Sequence, residues 1–316
     1  MTGLARWVLA ALLLAGTGAH AETLKLAVGQ RGNWDTAVSE LGQKAGIFAR
    51  HGLTLEILYT AGGGETQQAV LSRSVDIGVA AGTLGALGAA AKGAPVRIIS
   101  AEITGAADLF WYVPAASPLK TAADLAGKTV AYSTNGSSTD TVVRMVEAQN
   151  HVQFNRTATG GLPATFTQVM SGQIDVGWSA APFGVDALAK GTVRIVFRGS
   201  DANAARDQTI RVNLTHQAVL DSKKALVDEY MAAYRETLDW MYSSPDAIRM
   251  YAEFAGVSPE VAQKTRDEFF PRAAMDPDRV SGLSSLMADG VQLKFLSAPL
   301  TPEALARVVL VQGFKP

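Results

Sequence analysis

The chain has 316 residues, with 28 Lys and Arg against 29 Asp and Glu, no cysteine, 48% apolar and 18% charged residues. That length supports a large core and more than one compact unit, and the composition is not that of a disordered, collagen-like or coiled-coil chain. The lack of cysteine excludes a disulfide scaffold, a thiolate metal site and a cysteine nucleophile, and a net charge of −1 offers no broad field to a nucleic acid.

The first residues read as an address. Arg6 is the only charge before Glu22, Val8 to Ala15 form an unbroken apolar run, and Ala19-His20-Ala21 closes it. This is the basic, apolar and small-x-small order of a secretory signal, too short to span a bilayer. No cysteine follows, so no lipid anchor is expected. Residues 1–21 are therefore expected to be a signal peptide. The mature chain would then start at Glu22 and is expected to be exported as a soluble periplasmic monomer that is not membrane-embedded.

From there the elements alternate. Leu24–Val28 reads as a strand, Asp35–Lys44 as a helix and Leu53–Leu58 as a strand. Gly62-Gly63-Gly64 is a loop opening a helix near Glu65, and Val75–Ala80 and Val96–Ser100 are further strands. This β-α-β-α-β order implies a mostly parallel sheet flanked by helices. A second half repeats it, with strands at Thr129–Tyr132, Ile174–Ser179 and Val193–Phe197 and helices at Ser137–Asn150 and Thr165–Ser171.

The two halves are related in sequence. Residues 66–78 and 165–177 share Thr66/Thr165, Val70/Val169, Ser72/Ser171, Asp76/Asp175 and Gly78/Gly177, five identities in thirteen positions. Asp35-Thr36 pairs in the same way with Asp140-Thr141. Asp76 and Asp175 are expected to cap or pair structurally. The tail differs: Leu226, Tyr230, Tyr234, Leu238 and Met241 form one helical stripe. Ser244-Pro245-Asp246, Ser258-Pro259-Glu260 and Thr301-Pro302-Glu303 each read as an N-cap, a proline at the first helical position and an acid in the first turn. The tail is expected to pack on the first half.

Ligands of open parallel sheets bind beyond the carboxyl ends of the strands. That rule selects Gln30–Asp35, Ala61–Glu65, Ala81–Thr83, Ser133–Thr139 and Ser179–Phe183. Ser137-Ser138-Thr139 opens a helix after Gly136, so its free N–H groups and hydroxyls either hold an anion or simply cap. Gly63 and Gly64 let backbone amides approach a ligand, or make a turn. Trp34 and Trp178 can stack on a ligand or fill the core. Arg31 can pair with a carboxylate or sulfonate, or stay solvated. Arg211 is open between ligand contact and an ion pair in the return strand, and Glu102 can meet a ligand ammonium. The mature histidines, His51, His151 and His216, are dispersed, without metal-ligand spacing and suited to surface or capping roles. Neither G-x-S-x-G nor H-E-x-x-H occurs, and position 122 is alanine where a phosphate loop ending at Gly127-Lys128 needs glycine.

Ala45-Gly46-Ile47-Phe48 with His51-Gly52-Leu53, then Gly62-Gly63, Val75-Asp76-Ile77-Gly78, Asp124-Leu125-Ala126-Gly127-Lys128 and Ile174-Asp175-Val176-Gly177-Trp178 together resemble one family. They are similar to the solute-binding proteins of nitrate/sulfonate/taurine-type ABC importers, including the thiamine-precursor-binding group. The resemblance covers about residues 24 to 200. It implies a two-lobed periplasmic binding protein of the second type with crossover strands near Leu109–Val113 and Thr209–Leu214. Lobe one would be 22–112 with 210–316, and lobe two 113–209. By position, the family's ligand loops fall on Asn33, Trp34, Gly63, Gly64, Glu65, Gly82, Thr83, Gly136, Ser137, Ser138, Thr139, Ser179 and Ala180, with Arg31 and Trp178 beside them. The expected partners are a small-molecule ligand and an inner-membrane ABC permease. No cofactor, no metal and no catalysis are expected. Arg31 and the Ser-rich helix start favour a small organic anion, a sulfonate or carboxylate, while Glu65 and Glu102 leave room for a positive group. A thiamine-pyrimidine or other heterocycle is the alternative ligand and a membrane-kinase sensor the alternative partner. The fold also resembles a pyrimidine-forming enzyme of thiamine synthesis, but none of the three histidines falls in a ligand loop.

Overall fold

The structure is a computed structural model that describes residues 21–315, so the proposed leader, residues 1–21, lies almost wholly outside the described residues. Strands β1 (Glu22–Gly29), β2 (Leu53–Thr60), β3 (Ile77–Gly82) and β4 (Val96–Thr104) alternate with helices, as the hydrophobic pattern predicts. The chain then passes through β5 (Leu109–Pro114), β6 (Thr129–Tyr132), β7 (Asn155–Ala158), β8 (Gly177–Ala180) and β9 (Val193–Arg198) before β10 (Thr209–His216). The first sheet has the order β2-β1-β3-β10-β4. β1 runs parallel to β2 and β3, while β10 runs antiparallel between β3 and β4.

The second half builds the same arrangement. β5 is antiparallel to both β8 and β9, and β6 is parallel to β7. A parallel bridge between Val130 and Val176 joins the two pieces. The spatial order is then β7-β6-β8-β5-β9, matching the first sheet strand for strand. Each sheet therefore contains one antiparallel strand that arrives from the other half's stretch of sequence.

The sequence repeat has a geometric basis. Thr66 Oγ1 lies 2.8 Å from Thr60 Oγ1, and Thr165 Oγ1 lies 2.6 Å from Thr159 Oγ1. Asp76 Oδ2 accepts the Lys25 N–H at 2.9 Å, and Asp175 Oδ2 accepts the Thr129 N–H at 2.8 Å. Both aspartates tie a helix–strand loop to the first strand of their half, the structural role expected of them. Gly78 and Gly177 sit where a helix crosses its strand. A Cβ on Gly78 would lie 2.9 Å from Val70 Cγ2, and one on Gly177 would lie 2.8 Å from Val169 Cγ2 and 2.6 Å from the Tyr112 ring. Tyr112 and Val169 are buried, so neither has room to yield. Gly177→Ala is expected to destabilise by about 1–3 kcal/mol through overpacking, read as a lower urea midpoint with an unchanged slope.

Boundaries move where local pattern and pairing compete. The helix expected from Glu65 starts at Gly63, and the one expected from Thr165 starts at Leu162, with Pro163 in its first turn. The strands expected from Val75 and Ile174 pair only from Ile77 and Gly177, because the preceding residues close the helix–strand loop around the aspartate. In the tail, Ser244, Ser258 and Thr301 each accept a first-turn N–H through the side chain, as their motifs predict. The long helix Gln217–Ser243 buries Tyr230, Tyr234, Leu238 and Met241. It packs on the first half: Tyr230 stacks on Phe48 with its hydroxyl 2.9 Å from Ser39 Oγ. His216 caps this helix by accepting the Ala218 N–H, and His51 bonds Glu229 and Glu236 at the surface.

Candidate ligand-binding cleft

The carboxyl ends of β1, β2 and β3 in one half and of β6 and β8 in the other converge on a small buried cavity. It has a volume of about 30 Å³ and takes Gln30, Asn33, Asp35, Gly63, Ala80 and Arg211 from the first side. Leu109, Ser133, Ser137, Ser138, Thr139, Trp178 and Ala180 close the second side. Gln30 and Ala80 hold left-handed backbone, φ 52° and 65°, which costs a non-glycine residue energy and is concentrated at functional positions. A wider pocket of about 330 Å³ shares Asn33 with this cavity. Its walls include Arg31, Phe166, Pro182, Phe183 and Val257. The two together form an inner polar chamber and an outer, more apolar one.

Glycines bring the two halves into backbone contact around the inner chamber. The Gly64 N–H donates to Thr134 Oγ1 at 2.9 Å. A Cβ on Gly64 would lie 2.2 Å from the Asn135 carbonyl oxygen, and one on Gly82 would lie 2.3 Å from that of Gly136. No side chain fits at either place while the halves are this close.

Of the residues selected from sequence, Asn33, Gly63, Ser137, Ser138, Thr139, Trp178 and Ala180 line the inner chamber, and Arg31 lines the outer one. Gly64, Gly82 and Gly136 form the contact between halves. Four lie elsewhere. Trp34 is fully buried in the core, its indole N–H donating to Tyr242 Oη at 3.0 Å and its ring edge-on to Tyr242 and Tyr251. Glu65 is exposed and accepts the Ala61 N–H at 2.9 Å, capping its own helix. Thr83 donates to the Thr209 carbonyl and Ser179 to the Phe183 carbonyl. The hydroxyl group at the helix start is largely satisfied internally. Ser133 Oγ and Ser137 Oγ each lie 2.9 Å from Thr139 Oγ1, and Ser137 caps the helix Ser138–Asn150 at Asp140. The Trp178 indole N–H is buried without a protein partner.

The sequence reading named Arg211 and Glu102 singly, with an ion pair open for Arg211, but missed that both belong to one buried charge cluster with Asp35 and Asp108. Arg211 donates to Asp108 Oδ2 at 2.8 Å. Its Nε lies 3.2 Å from Asp35 and 3.9 Å from Glu102, without the alignment of a hydrogen bond. Three buried carboxylates thus surround one guanidinium. Burial pushes the Asp35 carboxyl up to about 6, against the pull of Arg211 and helped by Asp108. Burial, then the Asp35 charge, pushes Glu102 well above the usual carboxylate range. The repeat makes Asp35 the odd one out. Its counterpart Asp140 is held by Arg144 four residues on, at 2.7 Å, whereas Asp35 has Ser39 at that place.

A groove of about 770 Å³ also lies between β4, the helix Gln217–Ser243 and the C-terminal segment, lined by Arg97, Leu220, Arg307 and Leu310 among others. It draws on the first half and the tail alone.

The family model described as NMT1/THI5 like matches residues 35–248, more than half of the chain. The chain belongs to the NMT1/THI5-like family. No curated protein matches it in sequence. Among solved structures it is similar to the alkanesulfonate-binding protein SsuA from Xanthomonas axonopodis pv. citri bound to MOPS. That alignment has 18% identity and a TM-score of 0.75, and covers 91% of this chain and 97% of that one. The CA3427 gene product of Candida albicans, described as having the generic periplasmic binding protein structural fold, aligns at 14% identity and TM-score 0.76, over 93% and 98% of the chains. The desulfurization enzyme DSZB aligns at 16% and 0.59, over 89% and 94%. The NMT1/THI5-like assignment agrees with the resemblance read from the sequence, and the chain has the periplasmic binding protein fold with a helical C-terminal region. Among the described residues no helix is long and apolar enough to cross a membrane.

Proposed function

We propose that this chain is the extracytoplasmic solute-binding component of an ABC importer. It captures a small organic solute in the cleft between its halves and delivers it to an inner-membrane permease. One observation carries the reading: a polar cavity buried at the strand ends of both sheets and closed by glycine loops from the two halves. In this reading the chain through β4, with β10 onward, forms one lobe and β5 to β9 form the other, so the boundary expected at 112/113 moves back to the β4–β5 connection. The lobes hinge where β4 leads into β5 and β9 into β10. The signal-like start of the sequence supports a periplasmic location.

The reading is of a binder and not an enzyme. No histidine lines either chamber, and Ser133, Ser137 and Thr139 lie within hydrogen-bond reach of one another rather than of a base. An acidic group on the solute finds its counter-charge at Arg31 in the outer chamber, where Phe166 and Phe183 accept an apolar body. A heterocycle stacked on Trp34 is disfavoured, because that ring is withdrawn into the core, whereas Trp178 lines the inner chamber.

A thermal-shift panel of the chain from Glu22 tests the proposal against sulfonates, carboxylates, nitrate, amino acids and pyrimidines. A ligand at ~100 times its dissociation constant stabilises by about 2.7 kcal/mol. The expected hit also shrinks the solution radius as the lobes close. Silence across the panel, with no retained solute in native mass spectra of untreated protein, would remove the reading.

A further inference from the structure

We propose that the inner chamber receives a cationic nitrogen of the solute, a primary ammonium or its like, and that Asp35 is its counter-charge. This deepens the solute-binding reading above and rests on it.

Three observations converge. First, Asp35 is 1% exposed and lines the chamber, yet no side chain makes an aligned hydrogen bond to either carboxylate oxygen, and Arg211 Nε reaches it only as an ion pair at 3.2 Å. A buried acceptor left unmade is costly, and such groups are rare unless something fills them. Arg211 does not fill that role, because its aligned hydrogen bond goes to Asp108. Second, the charge does not balance. The groups that bear on Asp35 are Arg211 on β10, Glu102 on β4, Asp108 before β5, and the phenols of Tyr234, Tyr242 and Tyr251. Burial keeps those phenols neutral, and Glu102 is raised well above the carboxylate range. Three buried carboxyl groups, of Asp35, Glu102 and Asp108, face the single guanidinium of Arg211, so the cluster holds more acid than base. Third, the chamber is small and polar, and it meets the outer one at Asn33, so a terminal group of the solute can enter it while the bulk lies in the outer chamber.

The arrangement has a cost for the empty protein. A group whose folded pKa is raised, here from 3.8 to about 6, contributes stability that is present below the unfolded value and is lost as pH rises through the folded one. Above about pH 6 the ionised Asp35 strains the apo fold, and a cation in the chamber relieves that strain.

The test sets n-propylamine, β-alanine and 3-aminopropanesulfonate against propionate and propanesulfonate, by calorimetry on wild type and variants. Amine-bearing compounds are expected to bind at least ~10-fold tighter than their amine-free counterparts, the value of a charge-assisted hydrogen bond. Their affinity should fall about tenfold per pH unit below about 6, as protons compete for Asp35. Asp35→Asn should weaken the amines about 100-fold, flatten that profile and raise the melting temperature near pH 7.5. Glu65→Gln, at an exposed acid that lines neither chamber, should change none of these. Equal binding of both classes with a flat pH profile in wild type overturns the inference and leaves solute binding standing. Binding by neither class, with no change in radius, overturns the solute-binding reading as well.

Discussion

Arg211→Leu is expected to cost about 3–5 kcal/mol of unfolding free energy, more than any other single substitution in the cleft. Among the described residues the guanidinium is the only cation within reach of Asp35, Glu102 and Asp108, all at most 1% exposed. Removing it leaves like charges buried beside one another, a loss much larger than the net worth of the ion pairs themselves. The carboxylates will take up protons in response, so the loss should shrink as pH falls toward 5. Equilibrium urea unfolding near pH 7.5 and pH 5 reads both effects. Adding Asp108→Asn should recover part of the loss, because it removes the charge left without its hydrogen-bond donor. A change below about 1 kcal/mol at pH 7.5 would mean that the cluster is already protonated, and the charge argument for Asp35 would fall with it.

Gly64→Val should abolish closure. The nearest atom to a Cβ at this position is a backbone carbonyl oxygen of the opposite half, 2.2 Å away, which cannot swing aside as a flexible side chain would. Gly64 is only partly buried at the rim, so the halves fold as before and separate by the width of the intruding group. Binding that depends on contacts from both halves then loses about 100-fold or more in affinity, since the closed state is no longer reached. Small-angle scattering with and without a panel ligand measures this directly: wild type contracts and the variant does not. A variant that contracts and binds as wild type does would show that the glycine contact is incidental.

Much of the architecture is legible because it is written locally. The thirteen-residue repeat, the N-cap–proline–acid motifs of the tail and the stripe through Tyr230 and Tyr234 each report on their own neighbourhood. The position of β10 is not local. Nothing within Thr209–His216 says that it lies antiparallel between β3 and β4, because its partners lie more than a hundred residues upstream. The same distance hides the charge cluster. Asp35, Glu102, Asp108 and Arg211 are unremarkable in their own windows and meet only when the crossover strands are placed. One signal was available: aligning the two halves puts Arg144 after Asp140 but Ser39 after Asp35, so a buried acid lacked its local cation. Trp34 misled for the opposite reason. Its place just past a strand suits a ligand contact, and only Tyr242 and Tyr251, both over 200 residues away, show that its ring is already covered.

The interleaving of strands also bears on how the chain is made. When residues 22 to 208 have been synthesised, the first sheet still lacks the strand that joins β4 to β3, so β4 has no ladder and Arg211 has not reached the three carboxylates. The nascent polypeptide therefore has no complete N-terminal domain to lock in early. The first sheet can be completed only once about two thirds of the chain is available, so the long-range pairing of β10 must come late in folding.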